Sequence, residues 1–291
     1  MSQVYQIITD RIVTLLEQGT IPWNRPWHGG PCHDWPANLK TGHEYRGINV
    51  FLLAAMGYSS RYWLSFKQAR AMGGHVRKSE KGTPIIFWKK LQVEDRETGE
   101  PKEIPMLRYY TVFNLDQIDG IEAPDAPEIP DREFTPIQRA QAIMDNMPNP
   151  PRIEHIQPRA FYRSDQDLVN LPKPEHFKSD VKYYGTAFHE LAHSTGHEKR
   201  LGRRPSDIPR FFGDREYSQE ELVAEMGAAF LCSEAGIGQV LIEDQAAYID
   251  NWISVLRGTP KLVIKAASAA QAAADYILNV QPKKENNHEK A

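Results

Sequence analysis

The chain has 291 residues, of which 41% are hydrophobic and 25% are charged. This composition is typical of a globular protein with a full hydrophobic core in one or two domains, and no apolar run reaches the roughly 18 residues that a membrane span needs. The two cysteines, Cys32 and Cys232, are too distant in sequence to indicate a disulfide scaffold and favour a reducing, cytoplasmic location. Neither a signal peptide nor a membrane partner is expected.

The formal net charge of −3 argues against nucleic-acid binding, but it averages over parts of opposite charge. Residues 40–90 carry ten basic and two acidic side chains, a net charge of +8, whereas residues 121–150 have a net charge of −4. Five of the six tryptophans also lie before residue 90. A basic stretch interleaved with aromatic side chains is typical of proteins that bind single-stranded nucleic acid. The charge argument is therefore reversed for the N-terminal part of the chain.

The N-terminal part is predicted to be a domain of mixed helices and strands over residues 1–120. Apolar periodicity and turn residues predict helices over 4–16, 49–56 and 65–72, and strands over 84–88, 91–94 and 107–113. A turn is predicted at residues 97–100, between the last two strands. Residues 22–27, PWNRPW, cannot form a regular helix and predict an aromatic-rich loop.

Residues 121–134 are rich in proline and acidic side chains and predict an extended linker. The domain after it, residues 135–281, precedes a flexible tail, 282–291. Its predicted helices are 137–147, 183–193, 218–234, 244–256 and 260–278. A short strand over 167–171 is equally consistent with an exposed sheet edge, to which a peptide could add, and with a core strand. The predicted fold class is α+β, with two domains.

The strongest motif is HELAH at residues 189–193. Residues four apart lie on the same face of a helix, so His189 and His193 can bind one Zn²⁺ ion. Glu190 is the residue that acts as general base in peptidases with this motif. The same spacing arises by chance on ordinary helices, but the helix-forming residues before it and the helix end at Gly196 favour a metal site.

A catalytic zinc site needs a third protein ligand and an open position. The HExxHxxGxxH pattern is excluded because residue 199 is a lysine. A carboxylate from the next helix is consistent with the pattern, and Glu221 is predicted as the third ligand. Glu225, one turn later, is predicted to orient a histidine or to be the alternative ligand. Zn²⁺ is the expected ion because of its affinity, and the same ligands accept Mn²⁺.

The chain has no zinc-finger, P-loop or GxGxxG signature in its basic part, so the DNA-binding prediction depends on composition. Aromatic side chains can stack on bases and basic ones can contact phosphates, although each tryptophan could equally belong to the core. The stacking candidates are Trp23, Trp27, Tyr45, Tyr62, Trp63, Phe66 and Trp88. The phosphate-contact candidates are Arg46, Arg61, Lys67, Arg70, Arg77, Lys78, Lys81, Lys89 and Lys90.

Long segments resemble the ArdC-type antirestriction proteins of conjugative plasmids. The N-terminal strings PWNRPW, NLKTGHEYRGIN and WLSFKQARAMGGHVRKSEKGTPIIFWKK are similar to the single-stranded-DNA-binding region that this family shares with TraC-type primases. The C-terminal strings YYGTAFHELAHSTGHEKRL and EELVAEMGAAFL resemble the zincin-like metallopeptidase domain of the family, which is related in architecture to SprT-like proteases. The resemblance implies a protein that binds single-stranded DNA and protects incoming plasmid DNA from host restriction during conjugation.

Two functions remain open at this point. In one, the zincin-like domain cleaves a protein close to the bound DNA, such as a host restriction component. In the other, the chain coats single strands without catalysis and the metal site is structural. Replacing Glu190 separates the two, because only the first requires a general base. A third function, mimicry of DNA, is disfavoured by the small net charge and the basic N-terminal part.

Overall fold

The computed structural model describes residues 3–24, 35–94, 101–124, 135–203, 215–238 and 245–280. Within these ranges, the side chains of residues 90, 102, 103, 105, 215–218 and 245–248 are not part of the description. Helices and short sheets alternate along the chain, and the predicted α+β class is confirmed.

The N-terminal part contains three helices and six strands among the described residues. They are α1 (Gln3–Glu17), β1 (Ala37–Asn38), α2 (Ile48–Ala54), β2 (Tyr62–Ser65), α3 (Phe66–Ala71), β3 (His75–Val76), β4 (Thr83–Glu94), β5 (Pro101–Asn114) and β6 (Ile118–Asp119). The larger sheet has the order β1-β2-β5-β4, and β3 pairs with β6. Because β2 pairs only with residues 112–114 of β5, the remainder of the antiparallel β4–β5 pair forms a two-stranded ribbon.

The outer edge of β4 is covered by one side chain of α2. The amide nitrogen of Asn49 donates to the Ile86 carbonyl at 2.7 Å, and its amide oxygen accepts from the Ile86 N–H at 2.8 Å. This pair of bonds satisfies backbone groups that a neighbouring strand would otherwise satisfy. The helix therefore fixes the sheet edge close to the exposed part of the ribbon.

The C-terminal part contains five helices and three strands among the described residues. They are α4 (Pro136–Asp145), β7 (Arg152–Glu154), β8 (Phe161–Arg163), β9 (Leu168–Asn170), α5 (Asp180–Ser194), α6 (Arg215–Ala235), α7 (Gln245–Gly258) and α8 (Leu262–Ile277). The sheet order is β7-β9-β8, and all three residues of β9 are buried. The strand predicted at 167–171 is therefore a central core strand, and its interpretation as a sheet edge is wrong.

Apolar side chains of the two parts form one continuous core. Trp23 packs edge-on against Trp252 with ring centroids 5.2 Å apart, and Phe51 stacks on Phe230 at 4.7 Å. Trp35 also contacts Phe230, at 5.3 Å. Phe230 lies on α6, so the N-terminal part packs directly against a helix of the C-terminal part.

The predicted elements are confirmed in kind, with ends that shift by a few residues. The strands predicted at 84–88 and 91–94 are one continuous strand, β4, and the predicted loop at 22–27 begins with a short 3₁₀ turn, Pro22–Asn24. The rest of that loop, the turn at 97–100, residues 125–134 of the linker and the tail lie outside the described residues. The domain boundaries stay predictions. None of the described helices combines the length and the apolar character that a membrane crossing requires.

Candidate metal centre

The candidate centre lies between α5 and α6, whose close approach depends on small residues. A Cβ atom placed on Gly227 of α6 would lie 3.0 Å from the Cβ of Ala192, the alanine inside HELAH. A larger side chain at either position would push the helices apart. The start of α5 is fixed by the Ser179 side chain, which accepts from the Lys182 N–H. This packing brings carboxylates of α6 to the two histidines of α5.

The three predicted ligands converge on one point. The Nε2 atoms of His189 and His193 are 3.1 Å apart, and the Glu221 carboxylate oxygens lie 3.6 Å from the former and 3.4 Å from the latter. A tetrahedral ion with ligand bonds of 2.0–2.1 Å has its ligand atoms about 3.3 Å apart, so these donors are spaced to hold one ion. Within the described part of the chain, this is the one group of three His, Cys, Asp or Glu residues so placed. Their binding of an ion stays a prediction.

Two of the three candidate ligands have partly exposed side chains. The His189 and Glu221 side chains are 21% and 18% exposed, whereas that of His193 is 8% exposed. Glu190 is buried on the same helix. Among the described residues, the centre is thus more exposed on the side of His189 and Glu221 than on that of His193.

Each histidine has a second carboxylate behind its ring. Glu225 lies 3.7 Å from His189 Nδ1, and Glu220 lies 3.9 Å from His193 Nδ1. These are the ring nitrogens that do not face the centre, so the two carboxylates are placed to orient the rings. Of the two roles predicted for Glu225, this position favours the orienting one.

Glu220 is itself held in place by Arg203, which donates to it at 3.0 Å. The same guanidinium donates to the Ala192 carbonyl at 3.1 Å and to the Thr195 hydroxyl at 2.7 Å, at the end of α5. Neither residue was predicted from the sequence. The two adjacent acids at 220–221 could have indicated a role for Glu220 at the site. Nothing in the sequence indicates that Arg203 reaches this helix.

The electrostatics of the cluster follow from its burial and pairing. Burial opposes protonation of His189, but the hydrogen bond to Glu221 and the charges of Glu225 and Glu190 raise its pKa to about 9. Burial also opposes protonation of His193, whose pKa is raised mainly by the Glu221 charge. Despite burial, the two histidines hold the pKa of Glu221 well below its usual range. Because metal ligands must be deprotonated, an ion that binds here would compete with protons for the histidine nitrogens.

The far end of α5 is fastened to the small sheet by Arg200. Its guanidinium donates to the Ser194 carbonyl at 2.7 Å and to the Asn149 carbonyl at 2.9 Å, and it pairs with Asp167. Tyr162 donates to the same Asp167 at 3.0 Å. Although burial opposes it, these hydrogen bonds and the Arg200 charge lower the pKa of Asp167. We call the group of Arg200, Asp167 and Tyr162 the clamp, and it fixes the HELAH helix relative to β8 and β9.

Several predicted stacking residues are not accessible. Trp23, Tyr45 and Trp63 are 1%, 5% and 2% exposed, because the core recruits their rings. No base can stack on them in this structure, so their predicted role is corrected to one in the core. Trp88 is 49% exposed and remains a candidate, whereas Trp27 lies outside the described residues.

Three predicted phosphate contacts have acidic partners inside the protein. The pairs are Arg46–Asp275, Arg61–Glu44 (2.7 Å), and Arg77 with Glu80 (3.2 Å) and Asp119 (3.4 Å). Each of these arginines therefore has an acidic partner within the protein, and its contact with a phosphate stays a prediction. Lys67, Arg70, Lys78, Lys81 and Lys89 are exposed, as are Arg46 and Arg77. The Lys90 side chain lies outside the described part.

Comparison with known families and structures assigns both parts of the chain. Residues 2–113 match the family model of the N-terminal domain of the anti-restriction factor ArdC, and residues 138–269 match that of a zincin-like metallopeptidase. The metal-free crystal structure of the antirestriction ArdC protein from the R388 plasmid is 38% identical and has a TM-score of 0.74, over 96% of this chain and 99% of that protein. Its Mn(II)-bound crystal structure is 36% identical with the same TM-score, over 95% and 97%.

Curated relatives extend the similarity. A DNA primase TraC of Escherichia coli is 36% identical over 297 residues, and a second one over 298 residues. The chain spans only 20% and 27% of the length of these primases. The uncharacterized protein y4eC of Sinorhizobium fredii is 32% identical over 288 residues, which is 92% of its length.

The fold and the matches define a zincin-like protein with an ArdC-type N-terminal domain. The chain belongs to the ArdC family of antirestriction proteins.

Proposed function

We propose that this protein binds single-stranded DNA and uses a metal-dependent peptidase site to protect incoming plasmid DNA from restriction. The observation that carries the catalytic half is the convergence of two histidine nitrogens and one carboxylate next to Glu190. The DNA-binding half is supported by the exposed lysines and by similarity to the TraC primases and to ArdC. Its working location is the bacterial cytoplasm, and its substrate is a protein such as a host restriction component.

The residues of the centre divide the chemistry among them. His189, His193 and Glu221 would hold the ion, and Zn²⁺ is favoured by affinity over the Mn²⁺ that an ArdC structure contains. When bound, such an ion polarises a peptide carbonyl and lowers the pKa of water. Glu190 accepts the proton of the attacking water and passes it to the leaving amine nitrogen.

The alternative is a coating protein in which the metal is only structural. In the R388 ArdC protein, crystal structures exist with and without Mn(II), and both have a TM-score of 0.74 to this chain. The fold of that relative therefore does not depend on the ion, which disfavours the structural alternative here.

The test is plasmid transfer into a restricting recipient with the wild type or with Glu190→Gln supplied. The variant keeps the side-chain size but cannot accept a proton, so we expect protection to be lost. Metal content and affinity for single-stranded DNA should stay unchanged, and both are measured as controls. Full protection by a metal-loaded, DNA-binding Glu190→Gln protein would contradict the peptidase proposal.

The DNA-binding half has its own measurement, the dependence of affinity on salt. Each phosphate contacted by a basic side chain should contribute about −0.7 to the slope of log K against log salt. The double variant Lys78→Ala/Lys81→Ala should give a shallower slope, because two exposed charges are removed. A slope near zero for the wild type would exclude this mode of binding.

A further inference from the structure

Two large aromatic side chains are exposed side by side on the β4–β5 ribbon. Trp88 and Tyr109 are each 49% exposed. The strand register pairs Trp88 with Leu107 and Ile86 with Tyr109, so Trp88 and Tyr109 are diagonal neighbours on one face of the ribbon. Tyr109 was not among the residues predicted from the sequence.

The same face continues along β5 to a second aromatic pair. Tyr109, Thr111 and Phe113 alternate along the strand, which places them on one face at steps of about 6.8 Å. The Phe113 ring meets that of Phe66, the first residue of α3, with centroids 6.4 Å apart. Phe66 is 50% exposed. We name Trp88, Tyr109, Phe113 and Phe66 the aromatic face.

A glycine lies against the middle of this face. A Cβ atom on Gly82 would lie 2.3 Å from the Thr111 methyl carbon and 3.0 Å from the Phe113 ring. A side chain at position 82 would therefore overlap Thr111 and press against the Phe113 ring of the aromatic face.

Packing within the protein does not explain why the Trp88 and Tyr109 rings are at this surface. On the opposite face of the ribbon, Phe87 packs against Tyr45 and Tyr110, with centroids 6.4 and 5.8 Å apart. In the described part of the chain, by contrast, neither Trp88 nor Tyr109 meets another aromatic ring. Large rings left half in solvent on a pre-formed ribbon are suited to stacking on a ligand.

The charges around the aromatic face favour an anionic ligand. Lys67 follows Phe66 in the chain, and Lys81 directly precedes Gly82. Glu80, which precedes Lys81, accepts from Gln117 at 2.9 Å and pairs with Arg77. Two exposed lysines thus neighbour this surface along the chain, while the charge of Glu80 is compensated.

We propose that the aromatic face is the surface on which the bases of single-stranded DNA stack, with Lys67 and Lys81 contacting the phosphates. This inference depends on the proposed DNA binding and replaces the buried Trp23, Tyr45 and Trp63 as its stacking residues. Stacking on rings is tolerant of sequence, because every base has an aromatic face.

The test compares two fluorescein-labelled probes of equal length, an oligothymidylate and an oligonucleotide without bases. The full chain with Trp88→Ala/Tyr109→Ala should bind the oligothymidylate at least about tenfold more weakly, since the stacking of one base typically accounts for an effect of about 5- to 160-fold. Its affinity for the base-free probe should be unchanged. Trp88→Phe/Tyr109→Phe, which keeps both rings, should restore binding. Ile156→Ala, at an exposed apolar residue of the other part, is the matched control.

Three outcomes would overturn the inference. Unchanged oligothymidylate affinity in the alanine variant, with tight wild-type binding, would place the DNA elsewhere and leave the proposed function intact. An equal loss of affinity for both probes would show that the substitutions weaken binding by some means other than base stacking. Unchanged affinity together with a change from dimer to monomer in sedimentation would make the face a contact between copies of the chain. If the wild type binds neither probe, the proposed DNA binding fails as well.

Discussion

At the scale of single residues, three neighbouring carboxylates of α6 have different environments. Glu221 lies between the two Nε2 atoms of the histidines, while Glu220 and Glu225 approach the Nδ1 atoms. The first position is that of a ligand, and the other two are those of groups that orient ligands. Removing each of the three carboxylates should therefore lower the affinity for an ion to a different degree.

We expect Glu221→Gln to weaken zinc binding the most. Glu220→Gln and Glu225→Gln keep a hydrogen-bond acceptor behind each ring and should weaken it by about 10- to 100-fold at most. Competition with a chromogenic chelator measures all three, and Glu198→Gln, at an exposed glutamate beyond α5, is the control. A larger loss for Glu225→Gln than for Glu221→Gln would exchange their roles.

The clamp at Asp167 predicts a pH-dependent contribution to stability. Its pKa is lower in the folded protein than the value of about 3.9 expected when unfolded, so its contribution is present above that pH and lost as the pH falls through the folded pKa. The backbone φ of 48° suits asparagine, so Asp167→Asn removes the charge without strain. At neutral pH it should cost about 2 kcal/mol in urea unfolding, because Arg200 loses a charged partner.

The Asp167→Asn difference should begin to shrink as the pH falls below about 3.9 and should vanish only below the lower folded pKa of Asp167, where the carboxyl is neutral in both states. A difference that stays constant over the whole pH range would show that charge is not its cause.

The residues of the centre could be predicted where chemistry imposes a local spacing. HELAH on a helix and the acids one helix later are such cases, and the structure brings His189, His193 and Glu221 together. Trp23 and Trp63 could not be assigned, because composition does not distinguish a tryptophan in the core from one on the surface. The environment of a charged side chain is equally hard to predict. The ion pair of Arg46 could not be foreseen, because its partner Asp275 is distant in sequence.

At the scale of elements, the distance between α5 and α6 determines whether a ligand set exists. Gly227 and Ala192 allow the approach, and Glu221 lies on α6 a turn and a half from that contact. The helices themselves were predictable from periodicity, whereas their packing was not, because it depends on which faces meet. The β4–β5 ribbon is a similar case, since the continuous strand β4 was predicted as two separate pieces.

We expect Gly227→Val to separate the helices. The added side chain would overlap Ala192, which should cost about 1–3 kcal/mol of stability and at least about tenfold in zinc affinity. Thermal unfolding and chelator competition measure the two effects. Gly258→Ala, at a glycine with no atom within 4 Å of the added Cβ, should leave both unchanged. A Gly227→Val protein with wild-type zinc affinity would show that this contact does not position Glu221.

At the scale of the whole molecule, the two family domains share one core. Phe230 of α6 contacts Phe51 and Trp35 of the N-terminal part, and the Thr9 hydroxyl donates to the Pro260 carbonyl at 2.7 Å. Charge and proline content predicted a boundary between two parts of the chain. Composition carries no information, however, on how the two parts pack. The described contacts indicate that the parts stabilise each other.

We therefore expect cooperative unfolding of the whole chain. Tryptophan fluorescence reports mainly on the N-terminal part, and loss of zinc reports on the centre, so the two urea transitions should coincide. Phe230→Ala should shift both by about 3–5 kcal/mol, because it leaves a cavity between the parts. Two separate transitions, or a shift in only one of them, would show that the parts fold independently.

The central claim is that His189, His193 and Glu221 hold a divalent ion next to Glu190, and anomalous diffraction from crystals grown with zinc tests it most directly. The account predicts one anomalous peak within about 2.2 Å of both Nε2 atoms and a Glu221 oxygen, with Glu220 and Glu225 outside bonding distance. A peak coordinated by Glu220 or Glu225 instead of Glu221, or no peak between the two histidines, would contradict it.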